Sequence, residues 1–334
     1  MSSDVAMVLV VVAALAFAFT NGFHDTFDQI YIAVSTRAAP PQVAVAAAAA
    51  LNFAGAFAGV AVASTIARDI VEPGAIAPVV VFTGLLGAIA WNAATWWRGL
   101  PSSSSHALIG GLLGAAVAAA GFGVVVGGGV LDNVLIPALL APLAAFLLAG
   151  LAIALFYRLF GARRPGPVTR GFRRAQALSG GLLALAHGAN DAQKTMGVVV
   201  LALIANGSLG ADADPPLWTT IAAAAAIGLG TYAGGLWAMR GRRARSIEMD
   251  AAQGFSAQGA GAATILVATF LGFPISSTHA ISGGVMGAGA AKRVSAVRWG
   301  VAGNIVVAWV LTLPAAAAIG ALAYGIAWIL GAGA

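Results

Sequence analysis

Ten apolar runs, each long enough to cross the ~30 Å hydrocarbon core of a bilayer, constrain this chain more than any other feature. They fall at residues 5–36, 42–66, 76–97, 101–128 and 134–157, and then at 178–206, 217–238, 254–271, 274–290 and 297–331. With 60% hydrophobic and 8% charged residues among 334, no single aqueous core can absorb them, and the chain reads as an all-α integral membrane protein. The first run follows Asp4 rather than a lysine or arginine and leads into polar residues, so it reads as a membrane segment and not a cleaved leader. Pro314 predicts a kink in the overlong last run.

Charge sets the orientation. The chain carries 17 Lys and Arg against 11 Asp and Glu, but the basic residues sit in short breaks between runs, with no basic face for nucleic acid. A basic stretch, Arg158 to Arg174, separates the two sets of five. If it is cytoplasmic, Arg37, Arg98, the cluster Arg240 to Arg245, Lys292, Arg293 and Arg298 also fall inside, and both termini fall outside. Only Arg68, in an outer loop with Asp69 and Glu72, and Lys194, within a run, depart from the rule. The expected organisation is a first repeat at 1–160, a basic cytoplasmic linker at 161–177 and a second repeat at 178–334.

The two halves are copies. "GLPSSSSHALIGGLLG" at 99–114 aligns without gaps on "GFPISSTHAISGGVMG" at 272–287, with nine identities in sixteen positions. Upstream, "NGFHD" ends at Asp25 and "HGAND" at Asp191, 81 and 88 residues before His106 and His279. Because each half has an odd number of crossings, the second copy enters the membrane upside down, as in the inverted repeats of many secondary transporters. All four histidines, His24, His106, His187 and His279, belong to these motifs, and Asp25, Asp28 and Asp191 lie in or beside them. Ionisable groups at membrane depth are costly and usually functional.

The serine motifs suit anion capture. A proline breaks the helix, and the hydroxyls and backbone N–H groups of the fresh helix start point at one site, where the helix dipole favours a tetrahedral oxyanion. The glycines and asparagines of "NGFHD" and "HGAND" are expected to interrupt their helices, freeing carbonyls that join the carboxylates as hard ligands for Na+ or as a proton site. Structural readings stand beside these. His106 and His279 can hold a hairpin by hydrogen bonds, and Gly110, Gly111, Gly283 and Gly284 can serve close helix packing. A membrane aspartyl dyad of Asp25 and Asp191 would make the chain a protease, but it leaves both serine motifs unexplained. A passive anion channel is a further alternative. With no cysteine, disulfides and thiolate metal sites are excluded.

At these motifs the chain resembles the inorganic phosphate transporter (PiT) family, bacterial branch, and the resemblance covers nearly its whole length. It implies an inverted repeat of two five-segment halves with broken helices and re-entrant or hairpin-like serine elements, the substrate bound between two hairpins. It thus implies a secondary active transporter, not an enzyme, that imports inorganic phosphate with Na+ or H+ and needs no other cofactor. Matching the motifs assigns Ser103, Ser104, Ser105, Ser276, Ser277 and Thr278 to phosphate, and Asn21, Asp25, Asn190 and Asp191 to the cation, with Na+ at Asp25 and Asp191. Sulfate or another oxyanion is the alternative cargo within the same family, and a homo-oligomer is compatible with it. Where the family usually continues Ala-Asn-Ala, this chain has Phe27, Asp28 and Gln29, which adds Asp28 to the cation candidates. The repeat makes Asp28 equivalent to Lys194. Two roles are open for them, an ion pair across the repeat interface, or Asp28 at the cation and Lys194 at the phosphate.

Overall fold

The computed structural model describes residues 3–100, 102–240 and 249–332; the side chains of Ser3, Asp28, Arg240, Ala296 and Val301 lie outside that description. Pro101, most of the basic cluster after Arg240, and the Asp28 carboxylate therefore fall outside it as well. The described chain is helical apart from its turns and one isolated bridge, Val71 to Val125. Its α-helices are α1 (Ser3–Ser35), α2 (Pro41–Gly55), α3 (Ala61–Arg68), α4 (Pro78–Arg98), α5 (Ser104–Ala120), α6 (Gly127–Val130), α7 (Ile136–Phe160), α8 (Pro165–Ala205), α9 (Leu217–Arg240), α10 (Ala251–Phe270), α11 (Ser277–Lys292) and α12 (Trp299–Ile329). A π-helical segment, Leu131–Leu135, joins α6 to α7.

Local chemistry sets the helix ends. Proline occupies the first turn of α2, α4 and α8, where its missing N–H costs nothing. Asp250 and Gln253 form a reciprocal capping box at the start of α10. Gly99 closes α4 in the left-handed conformation (φ 67°), which glycine adopts without a Cβ penalty. The expected second run is broken, with α2 ending at Gly55 and α3 starting at Ala61. The Val62 N–H at that fresh start donates to Gln193 Oε1 of α8 at 2.9 Å.

Two expectations change. First, α1 and α8 run unbroken through "NGFHD" and "HGAND". The glycines serve close approach instead: a Cβ at Gly22 would overlap the Ile227 carbonyl of α9, and one at Gly188 the Asn52 carbonyl of α2. α12 likewise continues through Pro314. Second, the runs at 76–97 with 101–128, and at 254–271 with 274–290, do not stand as four separate crossings but take the hairpin form that the resemblance implies. They fold as two hairpins, α4–α5 and α10–α11, whose tips meet, with Ser105 Oγ donating to the Ile275 carbonyl at 2.8 Å. Their second arms have 17 and 16 residues, roughly 25 Å of helix each and short of a full crossing. Among the described residues, five segments are long and apolar enough to span: Asp4–Ser35, Pro78–Arg98, Gly127–Phe160, Leu217–Met239 and Ala302–Ile329. Residues 165–177, read from the sequence as linker, form the first turns of α8.

Packing repeats in pairs. α1 lies on α9 as α8 lies on α2; α5 lies on α12 as α11 lies on α7; α4 lies on α12 as α10 lies on α7. The halves are thus interwoven, each long helix seated on a partner from the other half. The outward faces are apolar, with Leu139, Leu151, Leu229 and Val310 all more than half exposed, as suits lipid. Inside, α8 is buried almost continuously from Leu183 to Ala202, so its polar motif stands at the centre of the molecule.

Candidate cation and anion site

Asp25 of α1 and Asp191 of α8 meet across His187, which lies one turn before Asp191. His187 Nε2 is 3.2 Å from Asp25 Oδ2 and 3.0 Å from Asp191 Oδ2, and none of the three is more than 6% exposed. The other imidazole nitrogen decides what this contact means. Asn52 Nδ2 donates to Gln29 Oε1 (2.7 Å) and to the Ala48 carbonyl (2.9 Å), so its Oδ1 faces His187 Nδ1 at 2.6 Å and can only accept. His187 Nδ1 therefore carries a hydrogen. A neutral ring would then turn the Nε2 lone pair toward two carboxylates, an arrangement that requires a proton or another cation between them. The ligand atoms of Asp25, His187 and Asp191 all lie within 4.8 Å of one another, close enough to share one ion. Asn21 Nδ2 donates to Asp191 Oδ2 at 2.9 Å, and its own Oδ1 is buried without a protein partner among the described residues.

The second charge is Lys194, one turn beyond Asp191 and fully buried. Its ammonium donates to Asp191 Oδ1, to Ser105 Oγ at 2.5 Å and to the Ile275 carbonyl at 2.7 Å, which uses its three N–H groups. It thereby ties α8 to both hairpin tips.

The serine motifs separate into three roles. Ser103 and Ser276 are N-caps, accepting from the backbone N–H groups of His106 (3.1 Å) and His279 (3.3 Å). Ser105 joins Lys194 as above, and Ser277 Oγ donates toward Asp25 Oδ2 (3.3 Å) and Asp191 Oδ2 (3.2 Å). Ser104 and Thr278, in the first turns of α5 and α11, line a cavity of about 640 Å³ and bond no side chain among the described residues. Asp25 and His24 line the same cavity, whose wall also carries five aromatic side chains, Phe23, Phe27, Tyr31, Trp96 and Trp237. Behind the tips the His106 and His279 rings meet edge to face at 5.0 Å, and His279 stacks on Trp309.

The structure thus brings Asn21, Asp25, Asp191, Lys194, Ser104, Ser105, Ser277 and Thr278 to one place. Asn190 points elsewhere: its Nδ2 donates to Thr269 Oγ1 (2.9 Å) and to the Phe273 carbonyl (3.1 Å), holding the tip of the second hairpin, while its Oδ1 is buried without a partner among the described residues. His187 is the member that sequence reasoning places in a motif without giving it a role. Its spacing of four from Asp191 is the available signal.

Comparison with known proteins identifies the family. The phosphate transporter family model matches residues 21–320. A Rhizobium meliloti protein named "Probable low-affinity inorganic phosphate transporter" is 47% identical over 95% of this chain and 95% of its own. Proteins of the same name from Bacillus subtilis (42% identical; 95% and 96% covered) and Mycobacterium bovis (45%; 97% and 78%) are also similar. A solved structure named "The sodium-dependent phosphate transporter" superposes with a TM-score of 0.81 at 25% identity, covering 98% of this chain and 99% of that one. On this match the chain is a transporter rather than an enzyme, and it belongs to the phosphate transporter family.

Proposed function

We propose that this protein imports inorganic phosphate by symport with H+ or Na+, the cation held between His187, Asp25 and Asp191 and the phosphate seated against the starts of α5 and α11. The carrying observation is the fixed His187 Nδ1–H, which turns Nε2 toward two buried carboxylates and so calls for a positive charge between them. A proton on Nε2 meets that need, and so does a metal ion; the Asn21 Oδ1, without a partner among the described residues, offers a hard oxygen beside it for Na+. Asp28 stays a candidate for the same cation. Asn190, directed at the second hairpin, stays a candidate for a separate cation position, its Oδ1 likewise lacking a partner among the described residues. The names of the relatives favour phosphate over sulfate, and the name of the structural neighbour favours sodium.

Phosphate would enter the cavity and meet Ser104 and Thr278, with the helix starts capped by Ser103 and Ser276 supplying backbone N–H groups. Ser105 and Ser277 link that position to Lys194 and to the carboxylates, so anion and cation offset each other in a low-dielectric setting. Lys194 contributes the nearest fixed positive charge. We place both termini outside the cell membrane and the cavity, lined by Ser35, Met249 and Arg298, toward the cytoplasmic side, on the strength of the fourteen basic residues that orientation puts inside once Arg98 is set at the first hairpin tip. The two meeting hairpins then enter from opposite faces, as an inverted repeat requires.

Phosphate titration of the purified protein tests the seat. Ser104→Ala with Thr278→Val should weaken binding by roughly 30- to 20,000-fold, at about 1–3 kcal/mol for each of the two donors removed from a desolvated anion. Unchanged affinity in a folded double variant would mean that phosphate binds elsewhere.

A further inference from the structure

The repeat gives His24 a counterpart, Asn190, and gives Trp96 and Leu100 the counterparts Thr269 and Phe273. The two hairpin tips turn alike at their glycines, although the Phe273 carbonyl also accepts from Ile275 N (2.9 Å), a bond without a counterpart at Leu100 among the described residues. Gly99 N donates to the Trp96 carbonyl (3.0 Å) and Leu100 N to that of Thr95 (2.9 Å); Gly272 N donates to Thr269 (3.1 Å) and Phe273 N to Ala268 (2.8 Å). Both glycines have positive φ, 67° and 80°.

Their surroundings differ. The second tip is shut in, with Gly272 and Ile275 buried and the Phe273 carbonyl held by Asn190 Nδ2. The first tip faces the cavity: Leu100 is 44% exposed, and among the described residues no side chain donates to its carbonyl. His24 is half-buried there, its ring stacked on Trp96 at 5.6 Å with 10° between the planes. The same side chain position is therefore a closed latch in one half and a displaced one in the other.

We infer that His24 is the latch of the first hairpin: when the cavity closes, its ring N–H takes the Leu100 carbonyl as Asn190 takes that of Phe273, and Asn190 releases the second tip. His24 is then a positioning residue for alternation between two states of nearly equal energy. Imidazole and amide both present an N–H at the end of a short planar side chain, so the exchange keeps the bond and changes only the half that makes it. The inference rests on the transport reading, but its test does not depend on uptake.

The chain has no cysteine, so Ser282→Cys on the cavity wall gives one reporter thiol. In reconstituted protein, His24→Ala should raise the rate of maleimide labelling at this thiol by about two- to tenfold, the population change that follows loss of one ordinary hydrogen bond. His24→Asn, which copies the second half, should label at nearly the parental rate. Equal rates in His24→Ala and the parent would overturn the latch, as would His24→Asn labelling as fast as His24→Ala. Failure of the parent to bind phosphate would instead sink the transport reading and leave the labelling comparison intact.

Discussion

Lys194 and Asp191 show how charge is kept at the centre of an apolar molecule. Each is fully buried, and each stands within hydrogen-bond reach of the other and of groups from the hairpins. Removing one member leaves the other uncompensated, so Lys194→Gln is expected to cost about 3–5 kcal/mol, and Asp191→Asn a similar amount. The double variant should cost clearly less than the sum. Denaturation midpoints of the four proteins in detergent read this coupling, and strictly additive losses would show that the two side chains do not depend on each other. The same cycle with Asp28→Asn reads how far Asp28 shares the ammonium. The residues of this cluster are legible in the sequence because ionisable groups are conspicuous in a chain with 8% charged residues. Their partners are less so. The repeat sets Lys194 against Asp28, although Asp191 lies nearer at three residues along the same helix, and the motif alone gives His187 no role although Asp191 lies four residues on.

At the level of elements, the sequence is most ambiguous at glycine. A glycine in a membrane helix can mark a break or a close approach, and composition does not distinguish them. At Gly22 and Gly188 the neighbouring backbone of the other half decides for close approach, and that neighbour is named by no local signal. The contrast is testable. Gly188→Ala pushes a Cβ into the Asn52 backbone and should lose about 1–3 kcal/mol. Gly303→Ala on α12 meets open space and should be neutral or gain up to about 1 kcal/mol from helix propensity. Thermal midpoints of the two variants check this; equal midpoints would show that the α8–α2 contact has room to spare. The hairpins are half legible. The proline, serine and histidine pattern announces two helix starts, and the caps Ser103 and Ser276 stand where it puts them. That the arms before them turn back comes from the family resemblance and not from run length, because an apolar run of 21 residues such as Pro78–Arg98 has the length of a full crossing.

For the whole molecule, the interwoven halves explain how the two serine helix starts and the Asp25, His187 and Asp191 cluster come together. α1 rests on α9 and α8 on α2, so "NGFHD" and "HGAND" meet across the repeat, while the swapped contacts α5–α12 and α11–α7 carry the serine tips to the same place. On the proposed function, cation and anion would occupy adjoining positions linked by Ser277, which reaches both carboxylates. Coupling would follow from this adjacency, since an anion with no cation beside it would face two carboxylates in a low-dielectric cavity. Uptake of labelled phosphate into proteoliposomes, with a Na+ gradient and a pH gradient imposed separately, measures it. The account predicts accumulation above the outside concentration under one of the two gradients, and loss of that accumulation in folded Asp25→Asn and Asp191→Asn. Phosphate flux that only equilibrates, indifferent to both gradients and to both substitutions, would contradict it.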